Sequence, residues 1–125
     1  MIVQSPLDYS AALSFLEEHE TIAYDTETTG LNPRRDKIIG IGFSTSSSGW
    51  YVPLYIWNGT DLQPTGLDVR PFLEKLKTKR LIMHNASFDC RFTKAQFGVD
   101  LTSALHCDTM LLKHTCDEEF PFGLK

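Results

Sequence analysis

Apolar side chains recur at Tyr9, Ala12, Leu13 and Leu16, the spacing of one helix face. Ser5 ahead of Pro6 supplies an N-cap with proline at the first helical position, which predicts a helix through about His19. The period then shortens to two. Thr21 to Thr26 reads as a strand, Lys37 to Ser44 as a second with Ile39, Ile41 and Phe43 on one face, and Trp50 to Ile56 as a third after a turn at Ser46-Ser47-Ser48-Gly49. Three successive strands with short connections predict an antiparallel meander. A polar loop from Trp57 to Leu67 comes next. Asp68 then reads as the cap of a helix with Pro71 in its first turn and Phe72, Leu73 and Leu76 facing inward.

Arg80 to His84 reads as a short buried strand that leads into a helix from about Ser87, with Phe88, Phe92 and Ala95 on one face and a stop at Gly98. Ala104 to Cys107 reads as a last strand, and Asp108 as the cap of a helix containing Met110, Leu111 and Leu112. The order β-β-β-α-β-α-β-α behind an extra N-terminal helix predicts an α/β fold with a mixed sheet. At 125 residues this is a single domain, 1–125, able to bury about two-thirds of its unfolded surface.

Composition narrows the function little. With 42% hydrophobic and 22% charged residues the chain has ordinary globular composition, and a net charge of −4 argues against broad electrostatic binding of nucleic acid while leaving room for a local, metal-compensated site. No apolar run reaches the ~20 residues of a membrane span and the N-terminus lacks a signal-peptide pattern, so a cytoplasmic protein is expected. Cys90, Cys107 and Cys116 have no CxxC spacing and read as free thiols.

The chemistry is concentrated at two strand ends. In Ala23-Tyr24-Asp25-Thr26-Glu27-Thr28-Thr29-Gly30-Leu31 the strand alternation puts Ala23, Asp25 and Glu27 on one side, with the two acids ~6.7 Å apart along the backbone. Carboxylates that close repel unless a cation joins them, and Mg²⁺ or Mn²⁺ takes such oxygen ligands. A solvated strand end entering a turn is the other reading of this stretch alone. The second stretch, Leu81-Ile82-Met83-His84-Asn85-Ala86-Ser87-Phe88-Asp89, delivers Asn85 and Asp89 four apart where a helix begins beyond a strand's carboxyl end, a usual ligand position in α/β folds. Asp89 is thus a candidate third acid, against the plain reading of a solvated aspartate near a helix N-terminus. Gly40-Ile41-Gly42 lies in mid-strand and reads as close packing or a bulge. His84 and His106 lack the nucleophile setting of a hydrolase.

"DTETTGL" followed by "HNASFD" resembles the D-x-E and N-x-x-x-D motifs of the DEDD 3′→5′ exonucleases, which have the ribonuclease H-like fold. The later "CDTMLLKHTCDEEFPFGLK" is similar to the continuation of this proofreading domain in family A DNA polymerases of the bacterial polymerase I and phage type. The resemblance implies that two divalent metal ions, Mg²⁺ or Mn²⁺, are held by Asp25, Glu27 and Asp89, with Asp25 bridging both. It implies that Asn85 supports the site, that Thr28, Thr29 and Leu31 line the path of the last nucleotide, and that Phe88 stacks on a base, although core packing is the commoner role for a phenylalanine at that spacing. The implied reaction releases 5′-mononucleotides from the 3′ end of single-stranded DNA.

The chain departs from the family pattern after Asp89. No Y-x-x-x-D or H-x-x-x-D appears beyond it to supply the fourth acid, Asp108 matches a capping aspartate instead, and Asp117-Glu118-Glu119 reads as a solvated loop. The chain therefore corresponds to the front of the domain. Two further readings stay open: a catalytically silent nucleic-acid- or protein-binding module, and a chain that complements a separate polypeptide carrying the missing helices.

Overall fold

The computed structural model describes residues 1–109. Helix α1 (Pro6–Glu18) begins at Ser5, whose hydroxyl accepts from the Asp8 amide at 3.1 Å. Then come β1 (Thr21–Thr28), β2 (Ile38–Ser44), β3 (Gly49–Pro53), a hairpin of β4 (Tyr55–Trp57) and β5 (Leu62–Pro64), α2 (Arg70–Leu76), β6 (Arg80–Met83), α3 (Ala86–Phe97), a 3₁₀ turn (Thr102–Ala104) and β7 (Leu105–Asp108). The main sheet has the order β3-β2-β1-β6-β7, with β3, β2 and β1 antiparallel and β1, β6 and β7 parallel. This is the predicted meander joined to helical crossovers. The helix expected at Met110 to Leu112 lies outside the described residues.

One face of the sheet carries the core. Tyr24 and Phe43 are register partners and share that face. Phe43 meets Phe15 of α1 and Phe72 of α2 at ring separations of 6.1 and 5.5 Å, while the Tyr24 hydroxyl is 2.8 Å from Thr93 of α3. All three helices therefore reach the same side of β1 and β2. Ala23, Asp25, Glu27, Gly40, Gly42 and Tyr51 belong to the opposite side by alternation.

Local physics moves several predicted boundaries. The third strand stops at Pro53, which has no amide to donate; Leu54 instead donates to Ile39, and the chain turns into the β4–β5 hairpin where a plain loop was expected. That hairpin closes on Asn58, whose side-chain oxygen accepts from Thr60 and Asp61, with Gly59 at φ +102°. A bulge between Glu27 and Thr28 leaves Ile39 unpaired, so Ile38 rather than Ile39 enters the core beside Ile41 and Phe43. Val69, not Asp68, occupies the cap position of α2, and Asp68 accepts from the Arg70 amide one step earlier. The buried face of α3 is Ala86, Asp89, Phe92 and Thr93, which leaves Ala95 exposed. Of the cysteines, Cys90 is a free thiol as expected.

Candidate active site

Strand β1 runs two residues beyond its expected end, carrying Asp25 and Glu27 in regular alternation: Ile22, Tyr24 and Thr26 are buried, Asp25 and Glu27 exposed. Their cross-strand partners are glycines, Gly42 opposite Asp25 and Gly40 opposite Glu27. The reading of Gly40 and Gly42 as close packing is met by Tyr51 of β3, whose phenol oxygen lies 1.9 Å from where a Gly40 Cβ would stand. The phenol thus occupies the slot beside Glu27. Burial pushes its pKa up, and the charges of Glu27 and then Asp25 add to the rise, which places it in electrostatic contact with both acids. A groove of about 350 Å³ runs here, lined by Ala23, Asp25, Gly42, Ser44, Trp50 and Tyr51. A larger cavity of about 810 Å³ lies between the N-terminal segment, Tyr9 and the β4–β5 hairpin, lined by Val3, Tyr9, Ile56 and Leu67, and holds none of the strand-end acids.

Asp89 comes from the other direction. Asn85 adopts a left-handed conformation, φ 105°, one that asparagine tolerates better than most residues, and its side-chain oxygen accepts from Phe88 as the α3 N-cap. Asp108, at the end of β7, accepts from the amides of Asn85 and Ala86 at 3.2 and 3.0 Å. The aspartate expected to cap a later helix thus fixes the start of α3 through the neighbouring strand. Asp89 is only 4% exposed and accepts from the Thr26 hydroxyl at 2.6 Å. Burial pushes its pKa up to about 6, with the Asp25 and Asp108 charges adding and the Thr26 hydrogen bond opposing. The Asp25 carboxyl is raised as well, chiefly by burial.

The structure therefore brings Asp25 and Asp89 into mutual electrostatic range, with Glu27 beside Asp25, but among the described residues no three His, Cys, Asp or Glu side chains are gathered tightly enough to hold a metal ion. The donor chemistry fits a hard divalent cation: all three are oxygen donors, and a cation would relieve the repulsion between Asp25 and Asp89. Closing that set needs movement of the Asp25 and Glu27 side chains, which their exposure permits.

The remaining expected contacts are spread along the rim. Thr28 donates its hydroxyl to the Gly30 carbonyl, and the Thr29 hydroxyl accepts from the Lys37 amide, so both shape the turn after β1. Leu31 is 83% exposed. Phe88 is half-buried, packed against the core with its ring 4.8 Å from that of Phe92. Sequence reasoning did not find Tyr51, Thr26 or the role of Asp108. The glycines opposite both acids were the available sign that a neighbouring side chain fills their space.

Asp89 makes stability depend on pH. Its carboxyl is raised from an ordinary value of 3.8 to about 6, so between those values the folded state holds a proton that the unfolded state has released, and stability falls as pH rises. The loss amounts to at most about 3 kcal/mol. Asp89→Asn, which keeps an acceptor for Thr26, is expected to flatten this fall and raise the Tm at pH 8 without divalent ions. A lower Tm for the variant at pH 8 would mark the ionised carboxylate as a structural requirement.

The sequence profile of the family described as 3′-5′ exonuclease matches residues 1–125. A DNA polymerase of Mycobacterium phage L5 is 31% identical over 103 residues, 80% of this chain and 16% of the phage protein. DNA polymerase I of Pseudomonas aeruginosa is 30% identical over 126 residues, 93% of this chain and 13% of that enzyme, so the chain spans a small part of these relatives. Among solved structures, Brucella melitensis NrnC with bound Mg²⁺ superposes with a TM-score of 0.51 at 26% identity, covering 79% of this chain and 52% of that one. Escherichia coli RNase D, an exoribonuclease, superposes with a TM-score of 0.62 at 15% identity, covering 86% and 26%, and shows that the fold is the predicted ribonuclease H-like one. With its D-x-E strand end, its N-x-x-x-D helix start and a profile match along its whole length, the chain belongs to the 3′-5′ exonuclease family of family A DNA polymerases.

Proposed function

We propose that this chain is the front part of a proofreading-type 3′→5′ exonuclease that releases 5′-mononucleotides from the 3′ end of single-stranded DNA, with Asp25, Glu27 and Asp89 holding two divalent ions, Mg²⁺ or Mn²⁺. The observation that carries this reading is the approach of Asp25 and Asp89, two carboxylates whose proton affinities are both raised and one of which adds to the other's rise. Bound there, such ions supply Lewis acidity at the phosphodiester and charge compensation for the departing 3′ oxygen. The chain's own part is positional. Thr26 fixes one Asp89 oxygen, Asp108 fixes the turn from which α3 starts, and Tyr51 limits the space beside Glu27. Asn85 supports the acids from the α3 N-cap, while Thr28, Thr29, Leu31 and Phe88 form the rim against which the last nucleotide lies. DNA is preferred to RNA because the sequence relatives are DNA polymerases.

A second reading, a silent binding module or a chain completed by a separate polypeptide, is favoured by one observation: among the described residues no three His, Cys, Asp or Glu side chains are gathered tightly enough to hold a metal ion. One assay separates them. A 5′-labelled single strand incubated with the chain and Mn²⁺ is expected to shorten stepwise from its 3′ end, with 5′-mononucleotides as product. Internal cuts, or shortening that survives Asp25→Ala, would overturn the exonuclease reading. Binding without digestion, converted to digestion by a polypeptide carrying Y-x-x-x-D, would support the completed-chain reading.

A further inference from the structure

Outside the acids, the turn after β1 and the exposed side of α3 form a cleft of about 320 Å³ lined by Asn32, Pro33, Arg34, Arg91, Lys94 and Ala95. Three cations from two separate elements meet in it. All three are exposed, and none is in an ion pair among the described residues, where the salt bridges are Lys75–Glu17 and Lys77–Glu74. The acid of the same loop, Asp36, is engaged within it, accepting from the Asn32 amide at 3.0 Å and the Thr29 hydroxyl at 3.3 Å. Lys94 also lies within electrostatic range of Asp100, whose carboxylate is engaged by Thr102. In a chain of net charge −4, three cations gathered in one cleft with none of them in an ion pair among the described residues mark a local site for an anion.

The cleft is built. Gln96 of α3 accepts from the Ile38 amide at 2.7 Å and so ties the helix to the end of the loop, while Asn32 accepts from the Arg34 amide at 2.9 Å. The exposed Ala95 leaves its floor low. Its position is set by α3 and the turn after β1: Arg91 and Lys94 lie two and five residues beyond Asp89, on the exposed face of the helix whose buried face carries Asp89.

We infer that Arg34, Arg91 and Lys94 bind the phosphodiester backbone of the substrate strand on the 5′ side of its terminal residue. This rests on the exonuclease reading and adds a backbone subsite to it. Arginine suits the role because its planar guanidinium pairs with phosphate through two parallel hydrogen bonds. The cleft reads charge alone, so ribose and deoxyribose strands are held equally well.

The test is binding of the full chain to 5′-fluorescent single strands of two to ten nucleotides in EDTA, monitored by anisotropy between 25 and 200 mM salt. Each phosphate contact on a single strand contributes about −0.7 to the slope of log affinity against log salt. Arg34→Gln/Arg91→Gln/Lys94→Gln is expected to flatten the slope by about 2, and each single substitution by about 0.7. Lys77→Gln/Lys79→Gln, away from the cleft, should leave it unchanged. Millimolar inorganic phosphate should compete weakly, and DNA and RNA strands should give the same slope change. An unchanged slope in a triple variant of wild-type Tm overturns the cleft alone. Absence of any strand binding by the wild type overturns the cleft, whereas the exonuclease reading is overturned by loss of Asp25-dependent digestion with Mn²⁺.

Discussion

Asp25→Ala is expected to slow release of the 3′-terminal nucleotide by about a thousandfold, equivalent to about 4 kcal/mol in the barrier. Under the proposed function Asp25 would help hold both ions and Glu27 one of them, so Asp25→Ala should cost more than Glu27→Ala. The fold should not suffer. The Asp25 side chain is exposed, faces Gly42 across the sheet and adds repulsion to the buried Asp89 carboxylate. Its removal should leave the Tm at pH 8 unchanged or raised. The measurement is a gel assay of a labelled strand with Mn²⁺, run beside a thermal melt of the same preparations. Residual activity within tenfold of wild type, in a folded variant, would remove Asp25 from the reacting centre.

Phe72→Ala should have the largest effect on stability. Phe72 is fully buried on α2 and joins two neighbours: Tyr9 of α1 meets it edge-on at 4.8 Å, and Phe43 of β2 lies at 5.5 Å. Truncation deletes both aromatic contacts and leaves a cavity where three elements meet, at a cost of about 3–5 kcal/mol. Against a total of about 5–15 kcal/mol for a domain of ordinary stability, that is a large fraction. Urea unfolding is expected to show the midpoint displaced at unchanged slope. A loss under about 1 kcal/mol would mean that the α1–α2–sheet junction repacks around the missing ring.

The order of elements and most of the core were legible because they depend on period alone. Leu16, Ile22, Ile41, Phe43, Phe72 and Leu76 are all buried. The misread positions depend on pairing between segments. Ile39 has the right parity for the core, but the bulge at Glu27/Thr28 shifts the register and brings in Ile38. Ala95 fits a helical stripe, yet α3 is rotated so that Asp89 and Thr93 reach Thr26 and Tyr24. A carboxylate drawn onto the buried face is an exception to the usual burial rule, and only the neighbouring hydroxyl explains it.

The site was legible as residue types and only partly as geometry. Alternation in β1 put Asp25 and Glu27 on one side, as found, and the strand-to-helix junction brings Asp89 into electrostatic range of Asp25. Tyr51 was invisible because its approach to Glu27 needs the Gly40–Glu27 and Gly42–Tyr51 pairings together. The reach of the Asp108 carboxylate back to Asn85 and Ala86 was invisible because it needs the parallel pairing of β7 with β6.

The central claim is that Asp25, Glu27 and Asp89 together form a divalent-metal site. It is tested most directly by calorimetric titration of Mn²⁺ into the wild-type chain and into Asp25→Ala at pH 7.5, where Asp89 is ionised. The account predicts a weak but saturable heat for the wild type that is absent in the variant. Equal heats from the two proteins would contradict it.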